Sequence, residues 1–237
     1  MAGVEKVAVV VGGGSGIGAA SVEELAASGF RIAAMSPSGR AADLARRLGG
    51  VGLAGSNRST DDLQAIVDLA MSAYGRIDAI VNCTGHPAKG GILELTDQDW
   101  LDGLELCLLN VVRMAHLVTP HLREAGSGSI VNISTSSPFE PNPAYPVSAT
   151  IRAGLASFTK LYADEYGPQG IRMNNVLPGF TKPDPSTVPD EWTSRIPLRR
   201  AASTAEVARV VRFLASDESS YITGQNIRVD GGSSRAV

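Results

Sequence analysis

The sequence predicts an α/β fold: a doubly wound, seven-stranded parallel sheet flanked by helices. Three observations predict it. Short, β-rich apolar runs alternate with helical patterns from one end of the chain to the other. Several runs are apolar at consecutive positions, as strands buried on both faces are. The first run passes directly into a glycine-rich turn and then a helix. Strands joined through helices require right-handed crossovers, and ligands then bind beyond the carboxyl ends of the strands.

In chain order, strands are expected at residues 7–11, 31–35, 51–54, 79–82, 129–133, 172–177 and 226–229. The spacing of apolar residues turns helical at 17–28, 41–48, 61–74, 97–123, 148–166 and 205–215. Pro146 suits the first turn of the helix that follows it. One stretch, at about 180–203, is weakly patterned and holds Pro183, Pro185, Pro189 and Pro197. A mobile substrate flap is expected there. No internal repeat occurs, and residues 1–237 read as one domain.

Composition narrows the function. Hydrophobic residues make up 43% and charged residues 19%, an ordinary core-forming mixture. The net charge of −3, with no basic run, gives no reason to expect a nucleic acid or an anionic membrane as partner. No apolar stretch approaches the ~18 residues of a membrane span. The first residues lack the features of a signal peptide. Cys83 and Cys107 do not form an extracellular disulfide framework, and His86, His116 and His121 show no zinc-ligand spacing with them. A cytoplasmic protein acting on a small molecule is expected, without a metal.

The first strand, Val7-Ala-Val-Val-Val11, runs into Gly12-Gly-Gly-Ser-Gly16-Ile-Gly18. Glycines there permit a tight turn and close approach of a pyrophosphate to the free N–H groups of the following helix. Strand, turn and helix form the context that a Rossmann dinucleotide-binding motif requires. With this turn the chain resembles the short-chain dehydrogenase/reductase family. Asn82-Cys-Thr-Gly85 is similar to the family's N-N-A-G, Pro178-Gly179 to its P-G, and the segment from Ile222 to Gly232 to its C-terminal strand. The resemblance covers nearly the whole chain.

The resemblance implies a nicotinamide cofactor, a carbonyl/alcohol pair as substrate, and an Asn-Ser-Tyr-Lys tetrad. The family's Lys is followed by A-G and lies 26 residues before the Pro of P-G, which places Arg152 at that position. Ser148 then takes the Tyr position, Thr135 the Ser position and Cys107 the Asn position. All four are substituted. A serine hydroxyl is a poor proton donor beside a phenol, whose pKa is ~10. A guanidinium stays protonated, so Arg152 cannot shuttle protons but can clamp an anion. Thr135 can still donate to a carbonyl.

Three other side chains are candidates for a replacement role. Tyr145, Ser148 and Arg152 fall on one helical face, so the Tyr145 phenol is a candidate acid, or else a packing residue. Asn110 lies one turn beyond Cys107 and can take over its polar role, or contact a neighbouring subunit. His86 follows the Asn82–Gly85 turn and should project near the nicotinamide end of the cleft, as a titratable group or as a solvated one. Glu140 either lines the substrate mouth or is exposed. Cys83 reads as a small buried residue.

For the cofactor, the resemblance assigns Gly12, Ser15, Gly16, Ile17 and Gly18 to the pyrophosphate turn, with Asn82, Gly85, Pro178, Gly179 and Thr181 further along the cleft. NAD-preferring relatives carry an acid at the end of the second strand, where this chain has Ser36. Ser36 does not repel a 2′-phosphate, and Ser38 and Arg40 can bind one, so NADP(H) is favoured over NAD(H). Val11, Ser56 and Pro183 depart from residues that usually contact the dinucleotide, and Asn82 has a purely structural reading as a brace of the sheet.

Three functions stay open at this point: an NADP(H)-dependent oxidoreductase with a rebuilt proton relay, a non-redox isomerase, dehydratase or cyclase on the same scaffold, and a non-catalytic binding protein. The first is favoured by the retained glycines. A homodimer or homotetramer is also expected. The family associates through helices 97–123 and 148–166, which here carry surplus apolar residues including Leu104, Leu108, Leu109, Val112 and Leu155.

Overall fold

A computed structural model describes residues 5–235. Strands β1 (Val7–Val11), β2 (Arg31–Ser36), β3 (Val51–Ala54), β4 (Ala79–Asn82), β5 (Gly128–Ile133) and β6 (Ile171–Pro178) form the main sheet together with β9 (Asn226–Val229). Their order is β3-β2-β1-β4-β5-β6-β9, parallel throughout. The order reverses between β1 and β4, and a ligand crevice opens at the carboxyl ends of strands on either side of such a switch point.

The core lies on both faces of the sheet because strand side chains alternate. Ala8 and Val10 pack with Val22, Leu25, Val207, Val211 and Leu214, from helices α1 (Gly16–Ala27) and α8 (Thr204–Ala215). Val9 and Val11 pack on the opposite face against α3 (Thr60–Tyr74) and α5 (Asn110–Glu124), through Leu63, Ile66, Met114 and Val118. Each such aliphatic side chain contributes roughly 1.5–3 kcal/mol on burial. α2 (Arg40–Arg47) and α6 (Pro146–Tyr166) complete the two layers.

Three expectations change. The helix expected over 97–123 is interrupted: α4 (Asp97–Leu104) passes into a π-helical turn, Glu105–Leu109, before α5 begins. The insertion holds Cys107, and π-bulges often occur at functional sites. The stretch at about 180–203 is more structured than its prolines suggest. β7 (Thr181–Lys182) pairs in parallel with β8 (Ala202–Ser203), enclosing the short helix α7 (Asp190–Thr193). Ser203 and Glu206 form a capping box that starts α8 and fixes the return of this segment. Leu155 is buried within its own chain, so it is not part of an outward apolar face. Among the described residues, no helix is long and apolar enough to cross a membrane.

Candidate active site

The glycine turn is built by close backbone approaches. Gly12 and Gly13 donate to Met35 O at 2.9 and 3.1 Å, which pins the turn to the end of β2. Gly12 has φ +77°, and a Cβ there would lie 2.0 Å from Cys83 O. A Cβ on Gly18 would lie 2.2 Å from Gly12 O. Gly16, at φ +55°, differs: its missing Cβ would point into open space. The N-terminus of α1 has no side-chain cap and no acidic residue in its first turn, unlike the capped α3, α4 and α8. Its free N–H groups, beside the open face of Gly16, suit a pyrophosphate.

A cleft of about 1010 Å³ extends from this turn. At one end Ser36 Oγ accepts from Ala41 N at 3.1 Å, and Arg40 Nε donates to Ser38 Oγ at 3.2 Å. No acid stands at the end of β2. Ser56 spends its hydroxyl locally, accepting from Arg58 N at 3.2 Å.

At the other end stand Thr135, Tyr145, Ser148 and Arg152, with His86 and Gly85 from the loop after β4. Tyr145 is the N-cap of α6, and Lys89 Nζ sits 5.0 Å from its ring centroid. Arg152 is 2% exposed. It donates through Nη1 to Ile133 O at 2.9 Å, and through Nη2 to Thr84 Oγ1 at 3.0 Å and Gly85 O at 3.3 Å. Its Nε is buried without a partner. Desolvation pushes the Cys83 thiol up to about 11 against the opposing field of Arg152, and raises Cys107 as well. The pKa of His86 is lowered, chiefly by lost hydration and then by the charges of Arg152 and Lys89. Each of these causes favours the uncharged imidazole.

The cleft also takes in Gly12, Ser15, Gly16, Ile17, Pro178, Gly179 and Thr181, whose hydroxyl donates to Gly179 O at 3.1 Å. Three expected contributors do not line it. Gly18 is packed against the turn. Asn82 is 1% exposed, and its amide donates to Asn132 Oδ1 at 2.9 Å, so it braces the sheet. Asn110 is 1% exposed with neither amide atom partnered, and like Cys107 it is buried away from the cleft wall. Glu140 also stays outside, accepting from the backbone N–H of Arg235.

Sequence reasoning missed Thr84, Lys89, Phe180, Lys182 and Trp192, all of which line the cleft. Thr84 and Phe180 stand beside glycines already singled out, and that adjacency was the available signal. Lys89, Lys182 and Trp192 sit in irregular segments where no periodicity assigns a facing. Among the described residues, no group of three or more His, Cys, Asp or Glu side chains is placed to hold a metal ion.

The switch-point turn and the cleft beyond it define a Rossmann-type α/β protein. Residues 11–234 match the family model described as enoyl-(acyl carrier protein) reductase. The chain is 37% identical over 177 residues to 3-oxoacyl-(acyl-carrier-protein) reductase FabG of Thermotoga maritima, covering 73% of this chain and 72% of the relative. It is 33% identical over 246 residues to short-chain reductase protein NovJ of Streptomyces niveus, covering 96% and 94%. The solved structure of TT0495 protein from Thermus thermophilus superposes with TM-score 0.87 at 34% identity, over 97% of this chain and 99% of that one. The chain belongs to the short-chain dehydrogenase/reductase family of oxidoreductases.

Proposed function

We propose that this protein is an NADP(H)-dependent oxidoreductase acting on a small carbonyl/alcohol pair through a non-standard site. One observation carries the reading: a single cleft joins the open face of Gly16 to Thr135, Ser148 and Arg152. The residues present fit the dinucleotide. The α1 N-terminus and Gly16 would receive the pyrophosphate, Ser36, Ser38 and Arg40 the 2′-phosphate, and Pro178, Gly179 and Thr181 the nicotinamide half. When bound, the nicotinamide supplies or accepts hydride.

The chain's own residues then hold the carbonyl and manage charge. Thr135 and Ser148 offer hydroxyl donors to the carbonyl oxygen. Arg152 is a fixed positive charge in the same cleft and stabilises developing negative charge without moving a proton. Tyr145, one turn before Ser148, is the phenol best placed to act as acid.

A second reading also has an observation behind it. Both Nη atoms of Arg152 are engaged by the scaffold, so the guanidinium is a brace as much as a catalytic group. That favours a protein that binds the cofactor without turnover. Calorimetric titration with NADPH and NADH, followed by NADPH oxidation with a carbonyl panel, separates the two. Tighter NADPH binding with oxidation supports the first, binding without oxidation supports the second, and no binding of either dinucleotide sinks both.

A further inference from the structure

The charge of the cleft is one-sided. Arg40, Lys89, Arg152 and Lys182 line it, and no Asp or Glu does. This is so in a chain with 24 acidic residues against 21 basic ones. Elsewhere Arg31, Arg58, Arg76, Arg113, Arg200 and Arg212 each hold a carboxylate. Among the described residues, none of the four cleft cations does. A cleft of one sign with low-dielectric walls focuses its field and concentrates ligands of the opposite sign. A buried cation without a counter-charge is costly, which strengthens the case for Arg152.

The dinucleotide accounts for Arg40, at the end of the cleft next to β2. It does not account for the two lysines. Lys89 is held on the Tyr145 ring, in the loop after β4. Lys182 lies after β6, 6.0 Å from the Phe180 ring centroid, and Phe180 packs on Trp192 with centroids 5.4 Å apart. β5 runs between β4 and β6, and Thr135 follows β5. The segments carrying the two lysines therefore bracket the position of Thr135. The same cleft is lined by Thr135, Ser148 and Arg152, whose Nε is buried and unpartnered.

We propose that the ligand at this end is a small carbonyl or alcohol compound carrying a carboxylate or phosphate, received by Lys89 and Lys182. The placement of its reacting carbon at Thr135 and Ser148 rests on the oxidoreductase reading above. Its anionic recognition does not.

The test uses the full chain without dinucleotide and two probe pairs that differ in charge: acetoacetate with methyl acetoacetate, and dihydroxyacetone phosphate with dihydroxyacetone. In calorimetric titrations the anionic member of at least one pair should bind about tenfold or more tightly than its neutral partner. Which pair shows the difference separates carboxylate from phosphate. Lys89→Gln and Lys182→Gln should each weaken the anion about tenfold, the scale of one charge-assisted contact. The double change should equalise the pair, while Lys89→Gln should leave NADPH affinity unchanged. Both lysines are exposed, so neither change threatens folding. Three results overturn the proposal: equal binding of charged and neutral members, no saturable binding of either anion up to about 10 mM, or an undiminished preference in the double variant. Anion preference without NADPH binding would remove the oxidoreductase reading alone. NADPH binding without anion preference would remove only this one.

Discussion

Arg152 donates from Nη2 to Thr84 Oγ1 at 3.0 Å, and so ties the middle of α6 to the loop after β4. Its second amino group reaches Ile133 O, so one side chain links α6 to the ends of two adjacent strands. Arg152→Ala should leave that carbonyl and the threonine short of a donor in a nearly closed space. Hydrogen bonds to a charged group are worth about 1.5–3 kcal/mol, so a stability loss of that order is expected in urea unfolding. An unchanged midpoint would show that relief of the uncompensated buried charge cancels the loss.

The turn glycines should separate by function. Gly18→Ala places a methyl 2.2 Å from Gly12 O, so the turn must move and the protein should be clearly destabilised. Gly16→Ala meets no protein atom, and its left-handed φ costs only about 1–2 kcal/mol. Gly16→Val fills the space assigned to the pyrophosphate. Its thermal midpoint should fall modestly while NADPH binding is lost. Retained affinity in Gly16→Val would place the dinucleotide elsewhere.

Glu206 gives a pH signature at the base of the β7–β8 segment. The Arg200 guanidinium first, then the Ser203 N–H, hold its carboxyl down from an ordinary 4.5 to about 2. Because the folded value is depressed, its contribution is present above the unfolded value and lost as pH falls through the folded one. Glu206→Gln should therefore be less stable than the parent at neutral pH, and the two should converge between about pH 4.5 and 2. A deficit that persists unchanged at the acid end would locate the effect in packing.

Four asparagines form a ladder through the buried sheet. Asn82 donates to Asn132, Asn132 to Asn175 at 3.0 Å, and Asn175 to Asn226 at 2.8 Å, all in register. Thr159 adds a donor to Asn175 at 3.0 Å. Asn132→Leu strands the Asn82 amide group and removes a donor from Asn175. Each buried polar group left unsatisfied costs about 1–3 kcal/mol, so a loss of several kcal/mol is expected by urea titration. The unpaired Oδ1 of Asn82 marks where the ladder stops.

That ladder shows what the sequence could and could not disclose. Several strands were legible because their apolar runs are consecutive, and Val7–Val11 is buried at every position, whereas Asn226–Val229 alternates polar and apolar residues. The helices were legible from their periodicity. Thr135, Ser148 and Arg152 were singled out by the spacings that the family resemblance implies, counted back from Pro178, and all three line the cleft. Pairing of Asn82 with Asn132 depends on strands fifty residues apart aligning in register, and no local pattern encodes it. The π-turn at Glu105–Leu109 keeps a helical apolar pattern, so its extra residue was invisible. Lys89 and Lys182 lie in segments without period, where only the folded chain decides which way a side chain faces.

Ser148 and Arg152 stand where the family resemblance implies the Tyr and Lys of its tetrad. Ser148 and Arg152 both line the cleft one helical turn apart, 5% and 2% exposed. Restoring both residues that the family carries, as Ser148→Tyr with Arg152→Lys, supplies a phenolic acid and an amine beside it. If a missing proton donor limits carbonyl reduction, the double variant should oxidise NADPH ~10²–10⁴-fold faster with a carbonyl substrate, the usual contribution of general acid catalysis. Either single change should give much less. Ser148→Tyr alone sets the phenol beside a guanidinium that does not shuttle protons. Arg152→Lys alone leaves serine as donor and gives up the fork that reaches Ile133 O and Thr84 together. Arg152→Lys should also weaken any native turnover in which the guanidinium stabilises an anion, and unchanged native turnover in that variant would eliminate such a role. A double variant that folds and binds NADPH yet gains no rate would show that the carbonyl is not delivered between Thr135 and Ser148. The divergence would then lie in the pocket bracketed by the segments of Lys89 and Lys182 rather than in the relay.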